Sequence, residues 1–327
     1  MASTRRELVA LIEQGAVPPG QLERVVALSG LHPSGQAWGL FVDRLLLWLG
    51  TLALVFAVMF LVAYNWSEMP RFLRFGLVQA ALVAAIAVYC WAEGRGVVKN
   101  TGSRAALTAA TLLLGVLLAL FGQVYQTGAD PWQLFFIWAL LMLPWTLVAR
   151  FDALWILWLG LLNLCVALYF RTWSGAFGPF FISDAAALWG LFVLNTSALV
   201  VWELGARRWR WLSAGWATCL LALGSGIPVT LLVLAFLFDE RVGFSAVALV
   251  YPAWLAALYA VYRYWRADLF MLAGGCLSVI VVLTALIGRY FMRHGDPGGL
   301  LVLAMAVLGM GALAVIWLKR LHREMSA

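Results

Sequence analysis

Apolar residues in this chain come in ten long runs, covering residues 45–66, 73–91, 105–123, 132–149, 153–170, 185–202, 211–238, 245–262, 269–287 and 300–318. No charged residue lies deep inside any of them. A bilayer core of about 30 Å takes about 20 helical residues, which is the length these runs share. A membrane β-strand needs only about ten residues and alternates between its two faces, whereas these runs are apolar all round. The pattern therefore predicts an all-α, polytopic transmembrane helical bundle of about ten spans over residues 41–320. A polar segment, 1–40, precedes it and a short tail, 321–327, follows.

The seventh run departs from the others. It holds 28 residues and carries Gly224, Gly226 and Pro228 near its middle. Proline removes a backbone donor and crowds the preceding turn, so a kink or break is expected there. Broken helices at mid-membrane often mark transporter sites, although a long tilted helix with a proline kink explains the same residues.

The segment before the first run is amphipathic. Thr4 and Glu7 have capping-box spacing, Leu8, Leu11 and Ile12 mark one helical face, and Gly15 is placed to end the helix. Pro18 and Pro19 open a second unit with a stripe of Leu22, Val25, Val26 and Leu28, closed by Gly30. Such a pair buries little area by itself and is expected to pack on itself, on the membrane face or on a partner. The first apolar run begins near Leu45, behind a stretch too long and too mixed for a signal's n-region, so no secretory signal is expected.

Composition agrees with the pattern. Hydrophobic residues are 65% of the chain and charged ones 11%, too few charges to cover a water-exposed surface of 327 residues. The net charge of +7 is spread over nearly every loop, which the positive-inside rule produces and which argues against nucleic acid as a partner. With ten spans, the loops on the side of the termini carry 16 Lys and Arg and the opposite loops carry 6. Both termini are thus expected in the cytoplasm. Trp66, Trp91, Trp132, Trp202, Trp211 and Trp317 lie near run ends, where indole rings favour the headgroup layer. Trp155 and Trp158 lie inside a run and read as packing or lipid-facing bulk.

Candidate chemistry is sparse. Cys90, Cys165, Cys219 and Cys276 sit in four different runs without CxxC spacing or a nearby His, and they read as small buried hydrophobes rather than a zinc or redox site. His32, His294 and His322 are far apart in sequence. No phosphate loop, HExxH or GxSxG is present, and no metal or cofactor is expected.

Two stretches carry a resemblance. The first run ends in Phe60-Leu61-Val62-Ala63-Tyr64-Asn65-Trp66, with Met69-Pro70 after it. The third ends in Leu120-Phe121-Gly122-Gln123-Val124-Tyr125-Gln126, followed by Trp132-Gln133-Leu134-Phe135-Phe136-Ile137-Trp138 and Leu143-Pro144. In this order they are similar to span ends in the domain-of-unknown-function family 2157, predicted bacterial multi-pass membrane proteins. The helical pair from Glu13 to Glu23 fits that family's start, and Arg289-Tyr290-Phe291 resembles its C-terminal end. Tyr64 stands where the family tends to carry Ala. The resemblance implies a bacterial inner-membrane protein and implies no chemistry.

Three function classes remain. A coupled transporter usually places ionisable groups inside the bundle. Here the deepest polar side chains, Gln79, Asn163, Asn195, Thr230 and Thr284, are neutral and suit helix–helix hydrogen bonds, which leaves passive or lipid and small-molecule transport open. A membrane enzyme acting on lipid or glycan needs a carboxylate pair near the interface. Asp239-Glu240 beside Arg241 reads instead as a solvated loop end. A non-enzymatic scaffold, accessory or sensor subunit, partnered by the bilayer and by another membrane protein or an envelope ligand, requires the fewest unseen residues. Small residues Ala304, Gly309, Gly311 and Ala312 in the last run would permit close helix contact, without setting an oligomeric state. The topology gathers a polar group at the outer ends of the first and third spans: Tyr64, Asn65, Trp66 and Glu68 with Gln123, Tyr125, Gln126, Asp130, Trp132 and Gln133. Amides, a carboxylate and rings suit a polyhydroxyl or headgroup ligand, while helix capping and belt anchoring explain the same residue types.

Overall fold

The computed structural model describes residues 4–21, 25, 35–94, 101–173, 185–212, 215–238, 246–294 and 299–326. They form helices throughout: α1 (Thr4–Glu13), α2 (Gly35–Tyr64), α3 (Arg71–Gly94), α4 (Thr101–Tyr125), α5 (Pro131–Ala149), α6 (Asp152–Trp173), α7 (Ala185–Arg208), α8 (Gly215–Phe238), α9 (Val247–Ala260), α10 (Leu269–His294) and α11 (Gly299–Ser326). Nine of these, α2 to α8 with α10 and α11, are long and apolar enough to cross a membrane. The expected eighth span is α9 continued by a π turn, Val261–Trp265, which together occupy residues 247–265. The molecule is an all-α, multi-pass membrane protein.

Large apolar side chains face outward along whole helices: Leu54 is 71% exposed on α2, and Leu308 and Leu313 are 74% and 68% exposed on α11. Water would penalise that surface by roughly 25 cal/mol per Å², whereas lipid tails solvate it.

Contacts divide the chain into two compact units, Met1–Thr127 and Gly128–Met325. In the first, α1 ends as expected at Gly15, whose φ of +70° only glycine adopts freely, and Gly15 and Ala16 return their N–H groups to Ile12 and Leu11. The second member of the N-terminal pair lies outside the described residues apart from Val25. Helices α3 and α4 pack along each other, with α2 against α4, around Val62, Val78 and Leu120. Helix α2 starts ten residues before the apolar run, at Gly35, because Gln36 to Arg44 continue the helix with polar residues.

In the second unit α8 is central, packed by α7, α10 and α9, while α5 packs on α6 and α6 on α7. The break expected at Gly224, Gly226 and Pro228 is corrected: α8 is one continuous α-helix from Gly215 to Phe238 with Pro228 inside it. Two facts explain the error. The run looked too long because Trp211 and Leu212 belong to a separate 3-10 turn, Arg210–Leu212. The glycines serve packing rather than flexibility. A Cβ on Gly224 would lie 2.7 Å from Asn195 Oδ1, and one on Gly226 would touch the Trp254 ring at 3.4 Å.

The interior polar groups pair between helices. The Asn163 and Asn195 amides exchange hydrogen bonds across α6 and α7, and each also donates to its own helix, to Leu159 O and Leu191 O. Ser225 Oγ meets Thr196 Oγ1 at 2.7 Å and accepts from Trp254 Nε1 at 3.1 Å. Ser278 Oγ meets Thr230 Oγ1 at 2.7 Å and Tyr251 OH at 3.0 Å. Asn163, Asn195 and Thr230 are thus interhelical, as their type suggested. Gln79 instead faces outward, and Thr284 Oγ1 is buried without a partner among the described residues. Of the four cysteines only Cys165 is buried; Cys90 is exposed on α3, contrary to its reading as a core residue. No disulfide forms, and no cluster of metal-ligating side chains occurs among the described residues.

Candidate functional site

The predicted outer polar group begins where α2 ends. Asn65 donates its side-chain amide to Leu61 O at 2.8 Å, satisfying one of the carbonyls that a helix end leaves open. Arg74, one turn into α3, reaches back to accept-only backbone groups, donating to Trp66 O and, at 2.9 Å, to Met69 O. Its guanidinium lies 4.1 Å from the Trp66 ring centre. Trp66 and Val124 both pack on the Val62–Val78–Leu120 cluster, and Phe75 lies 6.0 Å from Tyr125, ring centre to ring centre. The two stretches of the first unit therefore share one end, though some sixty positions apart. Tyr64 is 89% exposed there, and Glu68, Gln123, Tyr125 and Gln126 are exposed as well. Gln126 ends the helix with φ +43°.

In the second unit, Asp130 is the N-cap of α5 without a side-chain capping bond, and its carbonyl accepts from Gln133 N at 3.0 Å. Trp132 lies edge-on to Tyr169, with ring centres 5.2 Å apart, and its indole N–H is buried without an acceptor among the described residues. These span ends, in this order, carry the family signature. Residues 10–155 match DUF2157, a family described as predicted membrane protein. This is the family that the ordered motifs point to. No curated protein and no solved structure matches the chain.

Beyond the DUF2157 segment, the second unit holds a group of charged side chains that sequence reasoning missed. One face of α7 carries Thr196, Leu199, Val200, Glu203, Leu204 and Arg207, spaced three and four apart. Opposite it, α9 and the π turn present Trp254, Leu258, Tyr262 and Trp265, followed by Arg266. Between them lies a cavity of about 410 Å³. Its walls are apolar, and its charge sits at one end. There Glu203 accepts a hydrogen bond from Tyr262 OH at 3.0 Å and pairs with the Arg266 guanidinium. Arg207 stacks over Trp265, 4.0 Å from the ring centre.

The π turn makes this meeting possible. Arg266 N bonds Val261 O five residues back, at 2.9 Å, so the wider turn ends the helix and leaves Tyr262 and Arg266 both within reach of Glu203. Single π turns inside helices recur at functional sites. Only 17% of the Glu203 side chain is exposed, so its charge depends on these two donors. Among the described residues no carboxylate pairs with Arg207, which leaves the cavity mouth with two guanidiniums against one carboxylate. The sequence held one signal: Glu203 directly follows the buried Trp202 on a helix that runs on to Arg208. The sixth apolar run hid it by ending at Trp202.

Proposed function

We propose that this integral membrane protein is a non-enzymatic binding subunit, an accessory or sensor component that holds an anionic amphiphile in the cavity between α7, α9 and the π turn. One observation carries this reading: a space of about 410 Å³ with apolar walls ends in two guanidiniums and a single carboxylate. A chain of methylenes matches such walls, and an anionic headgroup matches the surplus positive charge at the mouth. The charge tally of the loops assigns this end to the cytoplasmic side of a bacterial inner membrane, with both termini there. The polar residues at the outer ends of the first and third spans are weaker binding candidates, because Asn65 and Trp66 are engaged by their own turn and by Arg74. The group at the mouth lacks an acid and base pair facing an open reaction centre, which favours binding over chemistry.

The test is native mass spectrometry of the intact chain released from nanodiscs. Phosphatidylglycerol and phosphatidylcholine with identical acyl chains are offered in equal amounts. Preferential retention of phosphatidylglycerol is expected, reduced about tenfold by Arg207→Ala, the loss of one charge-assisted contact. Equal retention of both lipids, or an Arg207→Ala variant indistinguishable from the native chain, would overturn the proposal.

A further inference from the structure

The opposite face of α7 lines a second, larger cavity, of about 560 Å³. Its wall is built from indoles: Trp155 and Trp158 on α6, Trp202 on α7, and Trp209 and Trp211 where the chain turns toward α8, with Arg150 at the end of α5. The turn can lie this close because Gly205 has no side chain; a Cβ there would stand 2.8 Å from Leu212 and 3.4 Å from the Trp209 ring. Three of the rings form a near-parallel series. Trp155 and Trp211 are 6.2 Å apart at 27°, and Trp211 and Trp209 are 6.3 Å apart at 25°.

The indole N–H groups differ in a telling way. Trp158 donates to Ala139 O at 3.0 Å, locking α6 to α5. Trp155 and Trp202 donate to nothing among the described residues, and their nitrogens are buried, with Trp202 only 4% exposed. A buried donor left unpaired is costly, so two in the wall of one cavity are exceptional. Arg150 likewise has no carboxylate partner among the described residues. The cavity thus offers a flat, electron-rich surface together with donors that lack acceptors.

We infer that this cavity binds a lipid quinone: a planar, electron-poor ring bearing carbonyl oxygens, carried on an apolar tail. The ring complements the faces of the indoles, whose quadrupoles are negative there. Its carbonyls supply acceptors to Trp155, Trp202 or Arg150, and the tail leaves along the aliphatic lining. A phospholipid brings acceptors too, but no ring for the indole series. The inference concerns binding alone and uses a cavity separate from the one assigned above.

Equilibrium dialysis of the full-length chain in detergent tests it with two probes, a benzoquinone carrying a decyl tail and decylbenzene, which has the ring and tail without the oxygens. The quinone is expected to bind saturably and at least about tenfold more tightly than decylbenzene, as for a contact built on hydrogen bonds to buried donors. Trp155→Phe and Trp202→Phe keep a ring and remove the N–H, and each should weaken quinone binding about fivefold to tenfold without altering decylbenzene binding. Ser197→Phe fills the cavity from its exposed side without removing a core residue, so it should abolish binding of both probes. Arg207→Ala, in the other cavity, should leave quinone binding unchanged, which separates this inference from the proposed function. Equal affinity for the two probes, or quinone binding that survives Ser197→Phe, would overturn the inference.

Discussion

Replacing Gly224 by Ala puts one methyl group into the tightest approach between α7 and α8. The added carbon would stand 2.7 Å from Asn195 Oδ1 and 2.9 Å from Asn195 Cγ, too close for either to stay. Asn195 is not a flexible end that can swing aside. Its amide is held by Asn163 and by Leu191 O, and the residue is buried. Overpacking of this kind costs about 1–3 kcal/mol. Each interhelical hydrogen bond lost adds about 0.6 kcal/mol on average in a membrane interior. Against this, alanine improves helix propensity over glycine by at most about 1 kcal/mol. The net expectation is a loss of about 1–3 kcal/mol, measured as reversible unfolding of the purified chain in mixed detergent micelles. A double-mutant cycle isolates the cause. Asn195→Ala removes the two clashing atoms, leaving the Asn195 Cβ at an ordinary 3.5 Å. In that background Gly224→Ala should be neutral or stabilising by up to about 1 kcal/mol. If Gly224→Ala costs the same with and without Asn195, close packing against Asn195 is not why a glycine stands there. If it costs nothing in the native background, the geometry of this contact is wrong.

Three further outcomes are expected. Glu203→Ala should destabilise the chain by about 1–3 kcal/mol, because it strands Tyr262 OH and Arg266; the cost stays below that of a fully buried ion pair because the Arg266 side chain is 40% exposed. Glu203→Gln, which retains an acceptor, should cost less, and an unchanged melting temperature for both variants would show that the ion pair is not formed. Ser278→Ala removes the shared partner of Thr230 and Tyr251 and should cost about 1 kcal/mol by the same unfolding assay, whereas no change would mean that these hydroxyls find other partners. For topology, single cysteines at Thr127 and at Arg323, both exposed, are introduced into a chain lacking the native cysteines. An impermeant maleimide on intact cells should label the first and spare the second; the reverse pattern would invert the orientation.

Fold class was legible in the chain because it follows from the solvent. A run of about 20 apolar residues can satisfy its backbone in a bilayer only as a helix, so length and hydropathy suffice to find spans. The same logic found the ordered span ends of the DUF2157 segment and the end of α1 at Gly15, where a local backbone requirement is written in one residue. Gly224, Gly226 and Pro228 were misread for the opposite reason. Their local tendencies favour a break, but Asn195 and Trp254 occupy the space that the missing side chains leave, and packing by neighbouring helices holds α8 continuous. The two cavities were illegible altogether. Glu203 meets Tyr262 and Arg266 from about sixty residues away, and Trp155, Trp202 and Trp211 converge from three separate elements. Hydropathy marks how a residue partitions between water and lipid. Which face of a helix it occupies, and what stands opposite, depends on the rotation and crossing of helices, and that is decided only by how their side chains interlock.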